Sequence, residues 1–204
     1  MKKIDKEMQK KIEQYFLLFV IYSIMGWIFE IIIFAFLEQK FVNRGLLMGP
    51  YCPIYGFGFL FIDLLLKRYK EKPILLFIMA MVISTFLEYA TSLLLEFIFN
   101  IQLWDYSQNF MNLDGRICLQ TTVAFGVLAV IAIYKVNPIL MAKLDKIPEN
   151  ALKYIAIIIA VMMLLDTCVS YQIIFNIKDG LSKIGDCTSE LSTKVWDAIK
   201  NNFY

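Results

Sequence analysis

Histidine is absent from the 204 residues, so chemistry that depends on an imidazole, as general base or as metal ligand, has no carrier. The four cysteines follow no metal-ligand spacing, and no phosphate-cradling Gly-x-x-x-x-Gly-Lys-Ser/Thr run occurs, so the chain hydrolyses no nucleotide by that route. Charge is scarce as well. Charged residues make up 19% against about 25% in soluble domains, and a net charge of +2 gives no basic footprint for nucleic acid. What fills the chain instead is apolar: 59% is hydrophobic, against roughly 45–50% in soluble domains. The apolar runs leave no soluble segment large enough for a core of its own. The expected fold is therefore all-α, a polytopic membrane helix bundle whose first partner is the lipid bilayer.

A membrane-crossing helix needs about 20 mostly apolar residues, and five segments approach that length: 15–37, 51–66, 73–99, 117–136 and 151–177. The first is too long for a signal-peptide core, carries Trp27 and Glu30, and lacks a small-residue cleavage site, so it is read as a retained helix. Residues 1–14 place Met1, Ile4, Met8 and Ile12 at helical spacing among lysines and are expected to lie amphipathically on the cytoplasmic surface. Residues 178–204 form a second amphipathic segment at the C-terminus. The second span is the shortest. With Pro50, Pro53, Gly56 and Gly58, its outer end is expected to be irregular backbone, tolerated only where protein or a watery cavity surrounds it. With the N-terminus inside, the cytoplasmic side collects thirteen Lys and Arg residues in short loops, whereas the two opposite loops hold only Lys40, Arg44 and Arg116. That bias orients the chain. Lysine outnumbers arginine, which occurs only at 44, 68 and 116; this points to AT-rich coding, hence a low-GC bacterium and its cell membrane.

Two segments depart from ordinary loop composition. One runs Phe41-Val-Asn-Arg-Gly-Leu-Leu-Met-Gly-Pro-Tyr-Cys-Pro-Ile-Tyr-Gly-Phe-Gly58; the other is Trp104-Asp-Tyr106 followed by Asn112-Leu-Asp-Gly-Arg-Ile-Cys-Leu119. Together with Gly26-Trp27, Glu30 and the third span's Phe86-Leu-Glu-Tyr-Ala-Thr-Ser92, they resemble the bacterial membrane family described as putative ABC-transporter type IV, over about Ser23 to Pro138. The resemblance implies a permease-like component and hence a separate ATPase subunit as partner. The one cytoplasmic loop long enough to couple to such a subunit is about 136–150.

Ionisable groups within the spans mark the candidate site, because a charge near the bilayer centre costs at least about 2.5–3.5 kcal/mol. Ser23, Gly26, Trp27 and Glu30 share one face of the first helix, and Ser84, Glu88, Ser92 and Glu96 one face of the third. Glu30, Glu96 and Asp166 fall in the outer half, and Glu88 near the middle. Asp63 lies near the cytoplasmic end, where it is expected to meet Lys67. The glycines and prolines of the first loop form either a rigid cap or, with Arg44, a pocket wall suited to phosphate or carboxylate. Either the acids neutralise Arg44 and Arg116 to hold the bundle together, or they line an outward-facing polar cavity with the arginines at its mouth. The residues that would bind a solute there are Arg44, Arg116, Glu30, Glu88, Glu96, Asn43, Asn112, Trp27, Asp105 and Tyr55. No catalytic residue, metal or cofactor is assigned. Three functions fit this pattern: a transport component binding a small or lipid-linked anionic solute, an intramembrane enzyme acting on a lipid headgroup, and a non-catalytic scaffold or sensor. A faint duplication runs through both halves, each pairing a Glu-bearing ascending helix with a descending helix that begins at Cys52 or Cys118. Those two cysteines are either a disulfide or separate small apolar residues.

Overall fold

The computed structural model describes the backbone of residues 2–39, 45–99 and 102–185, and side chains over 6–36, 39, 45–98 and 102–176. Among the described residues six α-helices follow in order: α1 (Lys2–Glu38), α2 (Pro53–Leu66), α3 (Pro73–Phe99), α4 (Leu119–Ile131), α5 (Asn137–Leu144) and α6 (Glu149–Gly185). The prolines set most of these starts. Pro53 and Pro73 occupy first helical positions, where a missing N–H costs nothing, and Pro148 directly precedes α6. Pro138 cannot donate a bond, and its ring would crowd the carbonyl one turn back. The chain accommodates it by widening to a π turn over Ala132–Val136, which joins α4 to α5 without a break.

The molecule is inside-out relative to a soluble protein. Polar side chains are among the most deeply buried, including Ser23, Asp63, Glu88, Ser92, Asn137 and Ser170. Large apolar ones face outward, as along α6 with Ile157, Ile158, Val161, Met162, Leu164 and Leu165. That distribution requires a hydrocarbon solvent. Among the described residues, four stretches are long and apolar enough to cross a membrane: Lys6–Phe36, Pro73–Ile98, Leu119–Leu144 and Glu149–Asn176. The chain is thus an all-α, polytopic membrane bundle.

The pattern of long spans breaks at α2. Fourteen residues give a rod of about 21 Å, short of the roughly 30 Å of hydrocarbon. The missing length is supplied by Gly45–Cys52, irregular backbone that folds down beside the middle of α1. There the Cys52 N–H donates to the Ser23 carbonyl at 2.9 Å, about 22 Å along the axis from the end of α1. Backbone at that depth must find partners within the protein. Met48 N–H donates to Ser170 Oγ (3.0 Å), Gly49 N–H to Asp166 Oδ2 (3.2 Å), and Tyr51 Oη to the same carboxylate (2.5 Å). Asp166 and Ser170 of α6 therefore serve as a socket for this re-entrant loop, in which Leu47, Tyr51 and Cys52 are buried while Met48 remains exposed. Gly45, at φ +104°, adopts a conformation that side chains disfavour, and a Cβ there would press on Cys52 Sγ at 2.9 Å.

Two further differences from the sequence reading concern the ends. Residues 2–14 do not form a separate surface helix; α1 is uninterrupted for 37 residues, and Gln14 is buried with its amide on Asp145 Oδ1 (2.7 Å). Likewise α6 continues past 177 to Gly185, while the remainder of the amphipathic C-terminal segment lies outside the described residues. The lower core joins Leu17, Leu18, Tyr22, Phe59, Leu144, Leu152 and Ala156 from α1, α2, α5 and α6, while Leu66, Leu76, Ala80, Ala129 and Ile133 tie α2 to α3 and α4.

Candidate functional site

Between the α1/α2 hairpin and the α3/α4 hairpin lies a cavity of about 290 Å³. Its walls are mostly apolar, among them Met25, Phe29, Ile54, Phe125 and Leu128, and it runs from Trp104 and Tyr106 at one end to Ala132 and Val136 at the other. Two carboxylates, Glu30 and Glu88, face it from α1 and α3. Each is held by a hydroxyl supplied from across the bundle. Tyr55 Oη donates to Glu30 Oε1. Glu88, 5% exposed, receives the Tyr106 hydroxyl and, at 3.5 Å, that of Thr121. Burial, together with the nearby carboxylates of Glu88 and Glu30, pushes the Tyr106 phenol well above its ordinary range, so it remains a donor.

The two hairpins build this arrangement in the same way. Cys52 and Cys118 are the extended residues preceding α2 and α4, and the residue three places on, Tyr55 or Thr121, sits in the first turn and reaches the glutamate of the neighbouring ascending helix. Both cysteines are buried, and no disulfide joins the two. Gly26 explains the close approach on the first side, since any Cβ there would overlap the Tyr55 ring; Gly56 does the same against Phe19 and Ser23. The Gly26-Trp27 motif is thus a seat for a tyrosine ring.

The remaining candidates separate from this pair. Residues 102–118 fold into a compact loop over the upper part of α3. Asp114 and Gly115, both at positive φ, make a tight turn closed by Arg116 N–H on the Leu113 carbonyl (3.0 Å), which suits the Asp-Gly sequence. The turn directs Arg116 to Ser92 Oγ (2.9 Å) and into an ion pair with Glu96, with Tyr89 stacked at 6.0 Å. The bond it donates to Glu96 holds the guanidinium pKa above its ordinary value. Neither Arg116 nor Glu96 lines the cavity. Asn112 braces the loop through Ser107 O, Asn109 O and Gly115 N–H, and Asp105 accepts the Ser107 N–H at 2.9 Å. Trp27 is half-buried on α1 and is not a cavity wall. Arg44 and Asn43 lie outside the described residues. Of the ten candidates, the structure therefore gathers Glu30, Glu88 and Tyr55 around one space. It adds Tyr106 and Trp104, which the sequence reading quoted as a motif without assigning them a role. The described cavity wall holds acids and no Lys or Arg.

Asp63 is the clearest correction. It is 1% exposed and makes no ion pair with Lys67. Its carboxylate accepts Tyr15 Oη at 3.2 Å and Asn137 Nδ2 at 2.9 Å, because α1 and α5 close over it. The sequence held a signal for this in Asn137-Pro138, a polar residue beside a helix irregularity, but not its target.

The sequence model of the family described as "Putative ABC-transporter type IV" matches residues 17–171, a longer stretch than the Ser23 to Pro138 over which the motifs occur. No curated protein and no solved structure matches the chain.

Proposed function

Because the chain belongs to the putative ABC-transporter type IV family, we propose that it is the permease-like component of a transport system and admits an amphipathic or lipid-linked solute to the cavity between its hairpins. The observation that carries this reading is the pairing of a long apolar cavity with two carboxylates at one level, each held by a tyrosine hydroxyl. An alkyl or isoprenoid tail suits the apolar walls, and a headgroup bearing N–H donors or positive charge suits Glu30 and Glu88. An anionic headgroup is favoured less than the sequence suggested, since Arg116 is engaged by Glu96 away from the cavity. The lysine-rich end, with α5 and the turns flanking it, is the side on which a separate ATPase subunit would dock; by the positive-inside bias it is cytoplasmic.

The test uses Trp104, which lines the cavity, as its own reporter. In a Trp27→Phe/Trp196→Phe background the only tryptophan is Trp104. A brominated long-chain alkylamine should quench its fluorescence saturably, a brominated alkyl phosphate should do so much more weakly, and Glu30→Gln/Glu88→Gln should remove the difference. Saturable quenching by the phosphate alone would restore the anionic reading, and quenching by neither would remove the cavity as a solute site.

A further inference from the structure

At the base of the cavity, below Glu30 and Glu88, the structure encloses a second polar cluster that the reading above does not use. Asp63 of α2 is 1% exposed, and among the described residues no cation pairs with it. Both of its hydrogen-bonded neighbours act as donors, Tyr15 Oη at 3.2 Å to Oδ2 and Asn137 Nδ2 at 2.9 Å to Oδ1. That is the pattern of an ionised, acceptor-only carboxylate. An uncompensated carboxylate so deep in a helix bundle is costly. Two oxygens beside it have no hydrogen-bond partner among the described residues: Asn137 Oδ1 and Tyr22 Oη, both on residues 7% exposed. Tyr22 lies within electrostatic reach of Asp63, and its ring is fixed by stacking on Phe59 at 3.6 Å between centroids.

The feature that places Asn137 is itself unusual. The π turn over Ala132–Val136 passes the Asn137 N–H to the Ala132 carbonyl, five residues back, and rotates the asparagine inward onto α2. Such turns recur at functional sites. Access is available as well, because Tyr22, Ile62 and Val136, which flank these residues in sequence or belong to the cluster, also line the cavity.

We propose that Asp63, Asn137 Oδ1 and Tyr22 Oη form a binding site for a monovalent alkali cation. The ligands are oxygens, as alkali cations require. A single carboxylate balances a single positive charge, and among the described residues no group of three or more acidic, cysteine or histidine side chains could hold a divalent metal. The cation compensates the buried charge and satisfies both orphaned oxygens at once. The assignment stands independently of the transport role, because none of its ligands contacts the Glu30 and Glu88 headgroup level.

The experiment measures thermal unfolding of the purified full chain in detergent, with NaCl, KCl or choline chloride at constant ionic strength. In NaCl or KCl, Tm should rise saturably above its value in choline chloride, by about 3 °C at saturation. Asp63→Asn should abolish the response. Tyr22→Phe keeps the ring stacked on Phe59 and removes only the hydroxyl; it should raise the half-saturating salt concentration at least about threefold. If Asp63→Asn does not fold, Tyr22→Phe alone decides. Equal Tm values in the three salts, a response that survives Asp63→Asn, or an unchanged half-saturation in Tyr22→Phe would each overturn the assignment.

Discussion

Replacing Asp166 with leucine asks how deep the re-entrant loop sits. On hydropathy alone the substitution should help, since it exchanges an acid for an aliphatic side chain in a membrane-crossing helix at a saving of about 3 kcal/mol. The structure reverses the sign. The Asp166 carboxylate is the acceptor for two donors of the loop, the Gly49 N–H and the Tyr51 hydroxyl. Leucine would strand both, at about 1–3 kcal/mol each, and would open the contact by which α6 holds Gly45–Cys52. Because the carboxylate faces the loop and not lipid, the hydropathy saving does not apply, and a loss of about 2–6 kcal/mol corresponds to a fall in Tm of roughly 4–24 °C for a chain of this size. Asp166→Asn, which keeps an acceptor, should lose about 1 kcal/mol, and Tyr51→Phe a similar amount. The assay is thermal unfolding in detergent, followed by modification of Cys52, a buried thiol at the end of the loop, with the other cysteines replaced by serine. Loop release should speed labelling of Cys52 before the helices unfold. A Tm for Asp166→Leu equal to or above that of the parent would refute the argument, because it would place Asp166 against lipid or water and not against the loop.

Gly26→Val drives a branched side chain into the Tyr55 ring and should break the Tyr55 to Glu30 contact, so Tm should fall and quenching of Trp104 by the alkylamine should be lost together. Arg116→Gln and Glu96→Gln should each lower Tm while the double change recovers most of the loss, with cavity binding retained throughout; loss of binding in the double variant would return Arg116 to the solute site. Single cysteines at Gln39 and Asn109 in a cysteine-free background should react with an impermeant thiol reagent in intact cells and one at Glu71 should not, and labelling at Glu71 alone would invert the proposed orientation.

The membrane character, the helical class and the limits of α3 are legible from the sequence because hydrophobic length is a property of consecutive residues. The span 73–99 coincides with α3 as observed. The re-entrant loop is half-legible. Glycine and proline announce irregular backbone near Pro50, but what satisfies it, Asp166 and Ser170, is more than a hundred residues away, and no local pattern links the two. The acids mislead for the same reason. Glu30, Glu88 and Glu96 share helical faces with similar spacing, yet Glu96 is turned to Arg116 by the Asp114-Gly115 turn whereas Glu88 is claimed by Tyr106. Asp63 looks from its i, i+4 spacing like a partner for Lys67, but burial by α1 and α5 outweighs that local option. Which hydroxyl meets which carboxylate is decided by tertiary packing of the two hairpins.

The unbroken length of α1 has a mechanical consequence. Thirty-seven residues without proline or a kinked turn make a rod of about 55 Å, gripped near Ser23 by the Cys52 N–H and near Gly26 by the Tyr55 ring. The same rod is clasped again below that grip, by the Gln14 amide on Asp145 and by Leu17 and Leu18 in the core shared with α5 and α6. Only the stretch from Lys2 to Gln14, about 18 Å, overhangs the bundle. A sideways push on that overhang is taken up first by α5 and α6, so the contact between Tyr55 and Glu30 is mechanically shielded from whatever docks at the amino-terminal end.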